Sequence, residues 1–234
     1  MTTTAAPLPA LPPVADAAAI IAALRAVPPG ALVATDADET LWAGDVGDEV
    51  MRTAERGAPW SADCVQFADY EREMAHGDYQ GACRWSARVL AEADAERARE
   101  ALLPALDGVA PRRWLFDELN AATDRGVQVW VVSASPRPVV AWGVEHHGLR
   151  TAGIIGIGVT RGQVQEPAPV GWGKVAAWQR LGLPKPAVAL GDSAWDGPLL
   201  AMAERGMLLT KASRDPFADQ DAAAVLQAAT DGNG

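Results

Sequence analysis

The chain has 234 residues, 49% hydrophobic and 21% charged, with a formal net charge of −10. That balance excludes an intrinsically disordered chain, and the acidic surplus repels phosphate backbones and so argues against a nucleic-acid partner. The length fits one domain with an insertion, or a core plus a small second domain. The two cysteines, Cys64 and Cys83, form neither a disulfide framework nor a zinc spacing. The N-terminus carries no Lys or Arg before Arg25, unlike a signal peptide, and no apolar segment is long enough to span a bilayer. The expectation is a cytoplasmic protein with reduced thiols and no membrane partner.

Residues 1 to about 14 are proline-rich and read as a loose leader. Ala15 to Ala26 has helical composition, with Asp16 near its start, and Pro28 and Pro29 stop it. Residues 31–35 form a short apolar run, the signature of a buried parallel strand. From Gly44 to about Pro111 β-branched residues become scarce, and helices are expected over Asp45–Arg56, Ser61–Ala75 and Asp78–Leu103, the last with a possible break. Trp114–Arg125 is a helix ended by Gly126. Val127–Val132 is a second buried strand ending at Ser133-Ala134-Ser135, and Pro136 and Pro138 open a helix to about His147. Ile154–Val159 is a third strand, and Arg161-Gly162 is a candidate hairpin turn into Gln163–Glu166. A helix over Gly173–Leu181, a strand over Ala187–Leu190, a helix over Asp196–Arg205, a strand over Met207–Thr210 and a helix over Phe217–Ala229 complete the chain. Strands alternating with helices predict an α/β fold with a doubly wound parallel sheet.

Three of these strands end in small polar or acidic residues: Asp36 and Asp38, then Ser133, then Asp192 and Asp196. In a parallel sheet such ends share one edge and converge. Several carboxylates, one hydroxyl and a lysine, Lys174, suit phosphoryl transfer assisted by a metal. Each piece also has a plainer reading, since acidic turns after strands, serines at strand ends and solvated lysines are common.

Taken in order, Asp36-x-Asp38-x-Thr40 after a strand, Ser133 at the next strand end, Lys174 near a helix start and Gly191-Asp192-x-x-x-Asp196 resemble the four motifs of the haloacid dehalogenase superfamily. The resemblance covers about 31–43 and 113–210, and it looks most like the phosphoserine-phosphatase branch. It implies a catalytic core over 1–43 and 113–234, with an all-helical cap over 44–112 inserted after the first strand. It further implies Asp36 as nucleophile, Asp38 as general acid and base, Ser133 as a ligand of the phosphoryl oxygens and Lys174 as their counter-charge. Asp36, the backbone carbonyl of Asp38 and Asp192 match the Mg²⁺ ligands. Asp196 stands behind them, orienting metal waters or Lys174, and Thr40 and Ala134 belong to the substrate-binding loops.

The activity so implied is Mg²⁺-dependent hydrolysis of a small phosphorylated metabolite through an aspartyl-phosphate. A phosphotransferase, a dehalogenase or a non-catalytic phosphate-binding module on the same scaffold are the alternatives; retention of Asp38, Asp192 and Asp196 argues against the dehalogenase. Glu39 departs from the family, which usually has Gly there; it either points to solvent or a cap residue, or binds a cationic substrate group. Asp45 matches the branch's amine-recognising acid, and it also suits a helix N-terminus on dipole grounds. Trp42, Trp60, Trp85 and Trp195 either pack the core or cage a quaternary ammonium such as phosphocholine. The sequence specifies no oligomeric state.

Overall fold

The structure is a computed structural model that describes residues 6–57, 66–76 and 78–209. Helix α1 (Ala17–Arg25) starts at Asp16, whose carboxylate accepts the Ala19 amide and so satisfies a free first-turn donor. Strand β1 (Leu32–Thr35) is buried along its whole length, as an unbroken apolar run in a parallel sheet should be. The chain then makes β2 (Trp42–Ala43), runs through α2 (Val46–Glu55), α3 (Phe67–His76), α4 (Tyr79–Ala91) and α5 (Ala95–Gly108), and returns by β3 (Ala110–Pro111). Strands β2 and β3 pair antiparallel, so the four helices leave and re-enter through one narrow neck. The possible break after Asp78 falls between α4 and α5, where Asp94 caps the new helix.

Next come α6 (Arg113–Asp124), β4 (Gln128–Pro136), α7 (Arg137–His147) and β5 (Gly153–Ile157). A small hairpin of β6 (Val159–Thr160) and β7 (Gln163–Val164) turns on Arg161 and Gly162, both at positive φ as a two-residue hairpin loop requires. Then follow α8 (Trp172–Arg180), β8 (Val188–Gly191), a 3₁₀ turn at Ala194–Asp196, α9 (Gly197–Met202) and β9 (Arg205–Leu208). The main sheet has the order β5-β4-β1-β8-β9, and every pairing in it is parallel. This is the doubly wound arrangement expected. Strand order reverses between β1 and β8, so their carboxyl ends open the crevice where such folds bind ligands. One apolar cluster runs from Val33 and Val129 of the sheet to Val50, Met51, Leu102 and Leu106 of the helices, so the inserted segment shares the core of the sheet.

Several expectations need correction. Residues 6–14 are no loose leader: Val14 pairs parallel with Leu208 at the edge strand β9, and the Pro7 carbonyl accepts the Trp172 indole N–H at 3.1 Å. Prolines cannot donate to a ladder, and the pairing with β9 falls on Val14, just past them. Strand β4 does not stop at Val132 but continues through Ser133 to Pro136, with a register irregularity that re-aims the serines. The helix expected over Asp196–Arg205 opens as a 3₁₀ turn and ends at Met202, because Arg205 already pairs with Val188. Trp60, Ser61, Cys64 and the helix expected over Phe217–Ala229 lie outside the described residues. No helix among the described residues is long and apolar enough to cross a membrane.

The loop between β1 and β2 hangs on a residue the sequence did not single out. Buried Arg112 donates to the Glu39 carbonyl at 3.0 Å and to the Thr40 carbonyl at 3.0 Å, and its own amide donates to Leu41 O. Replacing Arg112 by Met keeps the stem and strands two carbonyls. The expected loss is about 2–3 kcal/mol, read as a lower urea midpoint; an unchanged midpoint would show that water replaces the guanidinium without cost.

Candidate active site

Lys174 is delivered by the first turn of α8. Gly173 before it has no alternative, since a Cβ there would lie 1.8 Å from the Ala168 carbonyl oxygen. The Lys174 ammonium donates to Asp36 Oδ1 at 2.6 Å, Asp196 Oδ1 at 2.5 Å and the Val132 carbonyl at 2.9 Å, which uses all three of its protons. Asp36 follows β1, and its amide is tied to Leu190 O of β8 at 2.9 Å. The other oxygen of Asp196 accepts from Asp192 N, Ser193 N and Ser193 Oγ. Asp196 thus builds the loop that carries Asp192, and Gly191 is required because a Cβ there would sit 2.5 Å from the Asp196 Cβ.

Asp36, Asp192 and Asp196 each offer a carboxylate oxygen within 4.8 Å of the others. Burial and the neighbouring Asp196 hold the Asp36 carboxyl well above the usual carboxylate range, against the opposing pull of Lys174. The Lys174 ammonium is held above its ordinary range by Asp196 and Asp36, although burial pulls the other way. A crowd of hard oxygens whose mutual repulsion one lysine only partly offsets fits a divalent cation. Asp196 has both oxygens committed, one to Lys174 and one to its own loop.

Asp38 and Ser133 form a second group beside the first. Asp38 Oδ1 accepts from the Trp42 indole and the Val46 amide, each at 2.9 Å, and Oδ2 accepts from Ser135 Oγ at 2.7 Å and Ser133 Oγ at 3.2 Å. Trp42 and Ser135 are therefore residues whose part in the site the motif pattern missed. Thr40 is buried and its hydroxyl has no partner among the described residues. Ala134 packs against a small apolar cluster with Cys83 and Ile157.

Asp45 caps α2 by accepting the Gly47 and Asp48 amides, and burial together with Asp38 pushes its carboxyl well above the usual range. Glu39 stands at φ 57°, the left-handed conformation that favours glycine. This explains why glycine suits the position, and the Arg112 bond to its carbonyl and the Glu39 N–H bond to Gly44 O hold the strained geometry here.

Above the strand ends, Tyr79 of α4 stacks on Trp195 with centroids 4.5 Å apart and planes 8° from parallel, and Arg84 pairs with Glu166 at 3.1 Å. The inserted helices therefore rest on the rim of the site. Trp42 is wholly buried and a face of Trp195 is taken by Tyr79, so these two do not make an open cage. An adjoining cleft of about 620 Å³ is lined by Glu39, Asp45, Asp48, Glu49 and Glu71, with Arg52 as the cation of its lining. Arg52 lies 3.9 Å over the Phe67 ring and within 4.0 Å of both Glu49 and Glu71.

A doubly wound sheet whose switch point gathers a lysine and three carboxylates defines an α/β enzyme built around an acidic crevice. The chain belongs to the haloacid dehalogenase-like hydrolase family, whose model matches residues 33–201. No curated protein matches it significantly in sequence. Among solved structures, it is similar to a Bordetella pertussis Tohama I protein of unknown function, at 18% identity and TM-score 0.63, covering 80% of this chain and 93% of that one. It is also similar to a phosphoserine phosphatase in apo form, at 19% identity and TM-score 0.52, covering 75% and 84%. A phosphoserine phosphohydrolase-like protein from Francisella tularensis subsp. tularensis SCHU S4 follows at 12% identity and TM-score 0.54, covering 76% and 86%. At these identities the likeness is one of fold.

The cleft makes a stability prediction. Burial and the charge of Asp38 raise the Asp48 carboxyl to about 6, despite Arg52 and a hydrogen bond from Tyr70. The folded chain therefore keeps a proton that the unfolded chain releases near pH 4, and stability falls as pH rises between those values. Asp48→Asn should raise Tm at pH 8 by about 3 °C, with the gain shrinking towards pH 4.5. A gain of equal size at both pH values would contradict the assignment.

Proposed function

We propose that the protein is a Mg²⁺-dependent phosphatase that hydrolyses a small phosphomonoester through an aspartyl-phosphate on Asp36. The observation that carries this reading is the Lys174 ammonium bridging Asp36 and Asp196 at the switch point, with Asp192 alongside. Asp36 Oδ1 is held by that ammonium, which orients the carboxylate and offsets the charge of an approaching phosphoryl group. Asp38 protonates the leaving oxygen and then takes a proton from the attacking water. Ser133, whose hydroxyl donates to the Asp38 carboxylate, would bind the phosphoryl oxygens. Asp36, the Asp38 carbonyl and Asp192 would hold Mg²⁺, whose charge polarises the phosphoryl group when bound. The four helices over 44–112 serve as a cap on the 1–43 and 113–234 core, excluding water while the intermediate exists. Thr40 and Ala134 shape the loops around the phosphoryl group, and the reaction takes place in the cytoplasm.

The distal part of the substrate carries an amine, phosphoserine being one such compound. Five carboxylates line the adjoining cleft, and its arginine is already engaged by Glu49, Glu71 and Phe67. A primary amine fits better than a quaternary one, since neither Trp42 nor Trp195 offers an open cage.

Purified protein should hydrolyse p-nitrophenyl phosphate with Mg²⁺, lose turnover in EDTA, and lose at least ~10³-fold in kcat as Asp36→Asn. Turnover by Asp36→Asn at the parental rate would end the covalent reading. Across a panel of phosphorylated metabolites, Glu39→Gly and Asp45→Asn should each raise KM about tenfold for amine-bearing substrates and leave amine-free ones unchanged. An unaltered KM profile would remove the amine from the proposal.

A further inference from the structure

We infer that Trp42 and Ser135 are positioning residues for Asp38, and that the clamp they form leaves Oδ2 as the one oxygen of that carboxyl group that gives and takes the proton. The inference rests on the phosphatase reading, in which Asp38 is acid and base. Its basis is the difference between the two sets of partners. Oδ1 faces the Trp42 indole N–H and the Val46 amide N–H, each at 2.9 Å. Both groups are donors only, so a proton on Oδ1 would point at two other hydrogens. Oδ2 faces Ser135 Oγ at 2.7 Å and Ser133 Oγ at 3.2 Å. A hydroxyl donates to a carboxylate and, after rotation, accepts from a carboxylic acid. The environment of Oδ2 therefore satisfies both protonation states, whereas that of Oδ1 satisfies one.

The clamp is rigid where it needs to be. The Trp42 ring is buried, and a Cβ on Gly143 would lie only 3.1 Å from it, so α7 packs directly on the indole. The Trp42 backbone is paired with Pro111 in the β2–β3 neck. Val46 is the first residue of α2, so the N-terminus of the inserted segment holds the same oxygen. Ser133 accepts the Ser135 amide at 2.9 Å, which fixes the two hydroxyls relative to one another on the irregular end of β4.

In the first step an Asp36 oxygen bonds to phosphorus, the phosphorus–alkoxide bond breaks, and the proton on Asp38 Oδ2 moves to the departing oxygen. In the second, water bonds to phosphorus and gives one proton to Oδ2. The Asp36–phosphorus bond breaks, and hydrogen phosphate leaves with both carboxyl groups restored to their starting states. Losing either fixed partner lets the carboxyl group swing and costs the proton-transfer step.

The test is the dependence of kcat/KM on leaving group, which reports steps up to formation of the aspartyl-phosphate. p-Nitrophenolate departs without protonation, whereas phenolate needs the acid. Full-length parent, Trp42→Phe, Ser135→Ala and Ser135→Thr are assayed on p-nitrophenyl and phenyl phosphate with Mg²⁺. Trp42→Phe and Ser135→Ala should each lose about tenfold more on phenyl than on p-nitrophenyl phosphate, while Ser135→Thr keeps the parental ratio. If Trp42→Phe does not fold, the Ser135 pair decides alone. Folded Trp42→Phe and Ser135→Ala variants with the parental ratio on an active background overturn the clamp and leave the phosphatase reading standing. A parent without turnover on either ester overturns both.

Discussion

An ammonium sealed among carboxylates is the constraint on which this structure turns. Lys174 is 2% exposed, Asp196 1% and Asp36 6%, and each ion taken from water costs several kcal/mol before any attraction is counted. The cost is offset because every proton of the lysine is used and Asp196 is saturated by the loop it shapes. An arrangement of this kind tolerates little displacement, since a carboxylate left without the lysine would be an uncompensated buried charge. The close approaches at Gly173 and Gly191 follow from it: both glycines exist to bring backbone and side chain nearer than any Cβ permits.

The second centre, at Asp38, is organised differently. Its partners are neutral, and they come from three separate elements: Trp42 of β2, Val46 at the start of α2, and Ser133 and Ser135 of the irregular end of β4. The ionic centre is made by the ends of β1 and β4, the first turn of α8 and the 3₁₀ turn after β8. The neutral centre joins the sheet to the inserted helices through the Val46 amide. Arg112, returning from those helices through β3, secures the same loop from behind by its backbone carbonyls. The loop that carries Asp36 and Asp38 is thus held from both sides of the neck, and this is what lets Glu39 keep a left-handed backbone that glycine would adopt without strain.

Charge also divides the surroundings of the site. The core side has its acids compensated by Lys174, whereas the cleft side gathers Glu39, Asp45, Asp48, Glu49 and Glu71 around a single engaged arginine. Burial and Asp38 push up both Asp45 and Asp48, and the charge of Asp48 adds to the push on Asp45. Such a surface repels a second anion and favours a cationic group at the far end of a phosphate ester.

What the sequence by itself determined was everything that short-range pattern encodes. Apolar runs closed by acids marked β1 and β8, Asp16 and Gly126 marked helix ends, and Arg161-Gly162 marked a hairpin. Strand ends were enough to group Asp36, Ser133, Asp192 and Asp196, because parallel strands deliver their carboxyl ends to one edge whatever their order, and the resemblance to the family motifs added Lys174. The order itself, β5-β4-β1-β8-β9, and the partners that depend on it were decided by tertiary packing. Trp42 looks like any core tryptophan until the loop folds its indole onto Asp38, and Ser135 needs the irregular end of β4 to point the same way as Ser133. Arg112 lies 73 residues from the Glu39 carbonyl it holds, and the stretch 6–14 reads as a loose leader until Val14 meets β9 and the Pro7 carbonyl meets the Trp172 indole. Contacts over such separations depend on which surfaces meet, and no local rule of spacing or propensity records that.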